Sequence, residues 1–154
     1  MKLIRKKPEP AALVDWKTAN ALLPQNLRYN AANFPMAGVR ASLLSEQGHL
    51  CAYTQKRLRT QAECKDADTA ESCHIEHILP QHRQILGEDI DYLNLLACFP
   101  PGRSKIFCDY GAQKKDRYDP DNNPFVSPLN PGVEAEFKYG RPPVSNCCET
   151  TSSV

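Results

Sequence analysis

Apolar residues recur at helical spacing twice in the first third of the chain. The segment AALVDWKTANALL, residues 11–23, sets Leu13, Trp16 and Lys17 on one side with Ala12, Ala19 and Leu23 nearby, and Pro24 ends it. MAGVRASLLSEQG, residues 36–48, repeats the pattern at Met36, Val39, Leu43 and Leu44 and stops at Gly48 as a C-terminal cap would. Both read as packing helices or as an arm that docks onto a partner. HLCAYTQKRL, residues 49–58, alternates and then turns polar, which predicts a short strand and hairpin. The polar, acidic stretch 59–72 has no period and reads as an exposed loop. CHIEHILP, residues 73–80, is strand-like in its β-branched and apolar content, closed by Pro80. DYLNLLACF, residues 91–99, has the density of a short buried helix after a polar turn at LGEDI.

Beyond Pro100 prolines dominate, so long regular elements are not expected there; VEAEFKYG, residues 133–140, reads as one short strand or a turn of helix. The last residues, NCCETTSSV, are small and polar and are expected to fray. The fold class these elements predict is α+β. An N-terminal helical arm at 1–48 is followed by a core at 49–140, with a proline-rich irregular C-terminal region and a flexible tail at 141–154.

Charge changes this picture little. There are 19 basic and 18 acidic residues, net +1, so any hold on nucleic acid comes from local patches. No apolar run approaches the roughly 18 residues that span a bilayer, and MKLIRKKPEP lacks the apolar core of a secretory signal. A cytoplasmic protein without a membrane partner is the expectation. Seven cysteines, at 51, 64, 73, 98, 108, 147 and 148, are an odd number without the spacing of a disulfide framework. In a reducing compartment they bind metal or pack as small hydrophobes.

The chemistry concentrates in SCHIEHILPQHR, residues 72–83. On a strand, His74 and Glu76 point one way and His77 points the other with Ile75, although a bulge or strand end brings Glu76 and His77 toward one centre. A carboxylate beside an imidazole suits metal-assisted hydrolysis: the carboxylate holds a hard cation and the neutral imidazole takes a proton from water. The bland alternative is a satisfied structural histidine. Asn94 sits in an apolar run, where its amide needs partners; it caps a loop or orients the histidine. CDYGAQKKD, residues 108–116, then adds acids and two lysines.

Taken in order, CAYT, HIEHILPQ, YLNLLAC and CDYGAQKKD resemble the HNH endonucleases, whose ββα-metal motif sets one divalent cation against a scissile phosphate. The flanking KPEPAALVDWK, VRASLLSEQGHLCAY and NPFVSPLNPGVEAEFKYG are similar to the PtuB-like HNH subunit of retron and Septu antiviral systems, over roughly residues 1 to 140. The resemblance implies that His77 is the general base, that Glu76 binds the metal, and that Asn94 holds the histidine or supports the turn. Asp109 stands where the family has His or Asn and would be the second protein ligand, with Mg²⁺ or Mn²⁺ as the cofactor. Lys114 or Lys115, with Arg103 and Lys105, would steady the phosphate backbone. His74 either fills space on the opposite side of the strand, the reading taken, or joins the catalytic group; His82 and Arg83 either form a solvated surface, the reading taken, or touch the nucleic acid.

The resemblance further implies a structural Zn²⁺ held by two CxxC pairs, and here the chain departs. Cys51 stands, but Thr54 takes the second position, and FPPGRSKIF separates Cys98 from Cys108. Cys51, Cys98 and Cys108 remain, with Cys73 or Cys64 as a fourth; alternatively zinc is lost and the cysteines pack in the core. Implied partners are a nucleic-acid substrate, DNA or RNA, and a PtuA-like ATPase; in the retron version, a reverse transcriptase and its RNA-linked single-stranded DNA join them. The alternative is a non-catalytic HNH-shaped module that binds nucleic acid or the partner without cutting. A structural zinc ribbon needs four well-spaced cysteines and finds three.

Overall fold

The computed structural model describes residues 1–60, 63, 72–102 and 105–137. The expectations for the tail at 141–154, for Arg103 and for Cys64, Cys147 and Cys148 lie outside those residues, as does most of the loop expected at 59–72. Among the described residues the chain is a small mixed α/β protein of three helices and one two-stranded antiparallel sheet.

Helix α1, Ala11–Ala19, buries Leu13 and Trp16, three residues apart on one face. The Trp16 indole donates to Asn33 Oδ1 at 3.0 Å and meets Phe34 edge-on, with ring centres 5.2 Å apart. The pattern predicted a helix continuing to Leu23, but it ends four residues earlier. The Asn20 side chain donates to the Trp16 carbonyl at 2.8 Å in a local bond that competes with the helix, and Leu22 and Leu23 stay exposed, so no packing sustains a further turn. A 3₁₀ turn then starts at Pro24.

Helix α2, Met36–Glu46, buries Val39, Leu43 and Leu44. Gly48, at φ 60°, ends it as expected: its N–H donates to the Ser45 carbonyl at 3.3 Å and the His49 N–H to Leu44 at 2.8 Å, the paired bonds of a Schellman cap. The segment 49–58 closes as a hairpin with a single antiparallel bridge, Leu50 to Arg57.

Strand β1, His74–His77, pairs with β2, Leu95–Cys98, in the register His74 with Cys98 through His77 with Leu95. The helix predicted over 91–99 is a correction: a 3₁₀ turn at Tyr92–Asn94, capped by the Asp91 carboxylate accepting from the Leu93 N–H at 3.0 Å, runs directly into β2. Every residue of β2 is fully buried, so the strand has no apolar alternation to betray it, and only its pairing with β1 separates it from a buried helix. Helix α3, Gly111–Lys115, is five residues long and lies in the segment where no long regular element was expected. Gly111, at φ 65°, opens it close against the hairpin; a Cβ there would sit 2.8 Å from Thr54 Cγ2.

Helices and sheet share one core, in which Leu13, Val39 and Leu43 pack in the same cluster as Leu58, Leu95 and Leu96. The join is polar. The side chain of Gln47, at the end of α2, accepts from the Ala97 N–H at 2.7 Å and donates to the Ala97 carbonyl and the Leu50 carbonyl, both at 2.8 Å. It completes the free edge of β2 as a third strand would. The Lys6 ammonium, buried beside Glu46 at 2.6 Å, donates to the Leu95 carbonyl at 2.9 Å and lies over the Tyr92 ring. Replacing Gln47 by Ala strands the buried Ala97 N–H and leaves the Ala97 carbonyl only the Ala52 N–H at 3.2 Å, and is expected to cost about 1–3 kcal/mol in a urea denaturation series, roughly the cost of one unsatisfied buried group.

Candidate functional site

A cleft of about 420 Å³ opens where β1 leaves the sheet. Its walls are His74, Glu76 and His77 of β1, the turn from Pro80 to His82, and Ala112, Gln113, Asp116 and Arg117 at and beyond α3. The alternation of β1 holds: His74 and Glu76 are partly exposed on the cleft face, while Ile75 and His77 are buried. His77 still reaches the cleft because it is the last residue of the strand.

Each of these side chains is fixed by its neighbours. His77 Nε2 donates to the Asp89 carbonyl at 2.9 Å, and the ring meets Tyr29 edge-on at 4.7 Å. A carbonyl only accepts, so the proton of the neutral ring sits on Nε2 and Nδ1 carries the lone pair. Burial, the dominant influence, holds the His77 pKa below its ordinary value and favours that neutral form. Glu76 is met from two sides: Lys115 Nζ lies 3.3 Å from Oε1 and His74 Nε2 lies 3.3 Å from Oε2. His74 Nδ1 donates to the Pro100 carbonyl at 2.5 Å. Burial pulls the His74 pKa down, but its bonds to Glu76 and Pro100 outweigh that, and the net direction is up.

Asn94 stands behind the cleft. Its Oδ1 accepts from the Leu79 N–H at 2.7 Å, and its Nδ2 donates to the Leu79 carbonyl at 3.2 Å and the Glu88 carbonyl at 2.8 Å. It therefore ties the chain just after His77 to the loop that supplies His77 with its Asp89 partner, and does not touch the imidazole ring itself.

Of the other residues singled out in the sequence, Asp109, Lys105 and Lys114 are exposed and line no part of the cleft. Lys115 turns inward; its side chain is 5 % exposed, and its ammonium donates to the His77 carbonyl at 2.8 Å as well as meeting Glu76. Arg83 is held by Glu88 and Asp119, each at 3.1 Å, and by Asp121 at 2.5 Å, which occupies it within the fold. Arg117 escaped the sequence reading, its only signal being position just after CDYGAQKKD; Gln113 and Asp116 lie inside that segment, which was noted for its acids and lysines, but neither was assigned to the site. What aims Asp116 is its φ of 38° at the end of α3, a conformation no pattern in the sequence announces.

Cys51, Cys73, Cys98 and Cys108 are all buried. A hydrogen bond from Cys98 outweighs burial, and with bonds from Thr54 and the Phe99 N–H it holds the Cys51 thiol down at about 5; burial pushes Cys98 up. Among the described residues no three His, Cys, Asp or Glu side chains converge as a metal centre. Cys51 and Cys98 thus form a hydrogen-bonded pair.

The arrangement is a carboxylate and a neutral imidazole of fixed tautomer on adjacent residues of one strand end, with a cationic side chain, Arg117, across the cleft. It can bind a cation and accept a proton from water. No protein-family model matches the chain, and no curated protein matches it. Replacing Asn94 by Ala removes three hydrogen bonds at once and is expected to destabilise the protein by about 1–3 kcal/mol in chemical denaturation. The ring NMR signals of His77 should broaden in the same variant as the Asp89 loop loosens.

Proposed function

We propose that the chain is an HNH-type endonuclease that hydrolyses nucleic-acid phosphodiester bonds with a divalent cation and a histidine general base. One observation carries the reading: the His77 imidazole, locked with its lone pair on Nδ1 by the Asp89 carbonyl, shares a cleft with Glu76. The order strand, strand, short helix, with β1 carrying both residues and α3 packed behind them through Lys115, supports a ββα-metal core.

In this reading Nδ1 of His77 takes a proton from a water molecule as the water oxygen attacks phosphorus. The P–O bond to the leaving sugar breaks, and the leaving oxygen takes a proton from solvent. A divalent cation, when bound, supplies charge neutralisation at the phosphate and the leaving oxygen. The donor set fits such a cation at Glu76, a carboxylate at the cleft wall; Asp109, exposed outside the cleft, does not complete the set as the structure stands. Arg117 is positioned to steady a phosphate, and Asn94 keeps the base in place from behind. The biological setting rests on resemblance alone: the nuclease subunit of a Septu or retron antiphage system, held by a PtuA-like ATPase through the outer faces of α1 and α2.

A second reading has one observation in its favour. Glu76 already has two donors from the chain itself, Lys115 and His74, as it would in an HNH-shaped module that binds nucleic acid or its partner without cutting.

Labelled DNA and RNA incubated with the protein in Mg²⁺ or Mn²⁺, with and without the ATPase, separate the two readings. The nuclease reading predicts cutting that chelation abolishes and that His77→Ala lowers by about 10²–10⁴-fold, the range a general base contributes. Nucleic-acid binding without cutting under every condition, by protein shown to be folded, favours the binding module.

A further inference from the structure

His74 plays no part in the nuclease reading, yet it is held as metal-binding histidines are held. Its Nδ1 donates to the Pro100 carbonyl at 2.5 Å, which fixes the ring and turns Nε2 toward the cleft. Histidines that ligate metals nearly always give their second nitrogen's proton to a carbonyl or carboxylate in this way. The Nε2 so aimed faces Glu76 Oε2 at 3.3 Å. A nitrogen lone pair and a carboxylate oxygen repel, so a positive centre must lie between them, and a proton or a metal ion meets that need. The separation is longer than the 2.7–2.9 Å usual for a charge-assisted N–H···O bond. It is near the roughly 3 Å between neighbouring ligands on one cation at bond lengths of about 2.1 Å. Lys115 holds Oε1, which leaves Oε2 as the ligating oxygen.

We propose that His74 Nε2 and Glu76 Oε2 together form the protein's divalent-cation site, with His74 in the role that the sequence pattern gives to Asp109. The assignment deepens the nuclease reading and rests on it for the use made of the metal, though not for its binding. An imidazole nitrogen paired with one carboxylate oxygen favours a first-row transition dication such as Mn²⁺ over Mg²⁺, whose preferred ligands are oxygens. The remaining coordination positions face the open cleft, where water and a substrate phosphate have access.

Manganese binding to the full chain, followed by the electron paramagnetic resonance signal of free Mn²⁺, tests the site without turnover. One Mn²⁺ is expected per chain, resisting a tenfold excess of Mg²⁺. His74→Ala should weaken binding at least tenfold, and Asp109→Asn should leave it unchanged. Should His74→Ala fail to fold, Mn²⁺ added to the wild-type protein decides instead: the ring signals of His74 broaden first if it is a ligand. Binding unaffected by His74→Ala, binding lost in Asp109→Asn, displacement of Mn²⁺ by the tenfold excess of Mg²⁺, or no bound Mn²⁺ at all would overturn the proposal. Mn²⁺ held by His74 in a protein that cuts no nucleic acid supports the site and overturns the nuclease reading, so the two fail separately.

Discussion

Two strands of four residues each cannot hold themselves together in water; a pair this short needs a third edge and a covered face. Here β2 is buried throughout, so each of its backbone groups needs a partner inside the protein. The Gln47 amide supplies the partner of the Ala97 N–H and shares the Ala97 carbonyl with the Ala52 N–H, and the Lys6 ammonium supplies a partner at Leu95. Both are polar side chains brought in by the N-terminal third. The helices that look like an appendage in the sequence are therefore what lets a sheet this small exist.

The cleft inherits its geometry from that sheet. Once β2 is fixed, its register fixes β1, and the alternation of β1 decides which of His74, Glu76 and His77 face the cleft and which are buried. The remaining freedom lies in the chain just after β1. Asn94 removes it by pairing with both backbone groups of Leu79, while Lys115 reaches from α3 to the His77 carbonyl. The two polar anchors grip the backbone on either side of the strand end and leave the His77 ring to its own partners, Asp89 and Tyr29.

Much of this is legible in the sequence. The two helices, the Gly48 cap, the β1 strand and the opposed faces of Glu76 and His77 all follow from short-range periodicity, which needs no tertiary information. What failed depends on long-range contacts. LLAC is apolar at every position and buried on both faces, so its strand identity exists only in its pairing. Asp109 and Lys115 lie within one acid-and-lysine cluster, yet Lys115 turns inward to the Glu76 carboxylate and Asp109 stays in solvent. The sequence supplies the residue types there, and the direction of the short helix α3 decides which of them enter the cleft. His74 shows the same limit from the other side: nothing in HIEH reveals the Pro100 carbonyl that orients its ring.

The central claim is that the lone pair on His77 Nδ1 faces the phosphodiester to be cut. The most direct measurement is a crystal structure of the full chain with a hydrolysis-resistant phosphorothioate oligonucleotide. The account predicts one phosphate seated in the cleft beside Glu76 and Arg117, with a water molecule hydrogen-bonded between its phosphorus and His77 Nδ1. An oligonucleotide bound on another face, or a His77 ring whose Nδ1 is turned away from the bound phosphate, would contradict it.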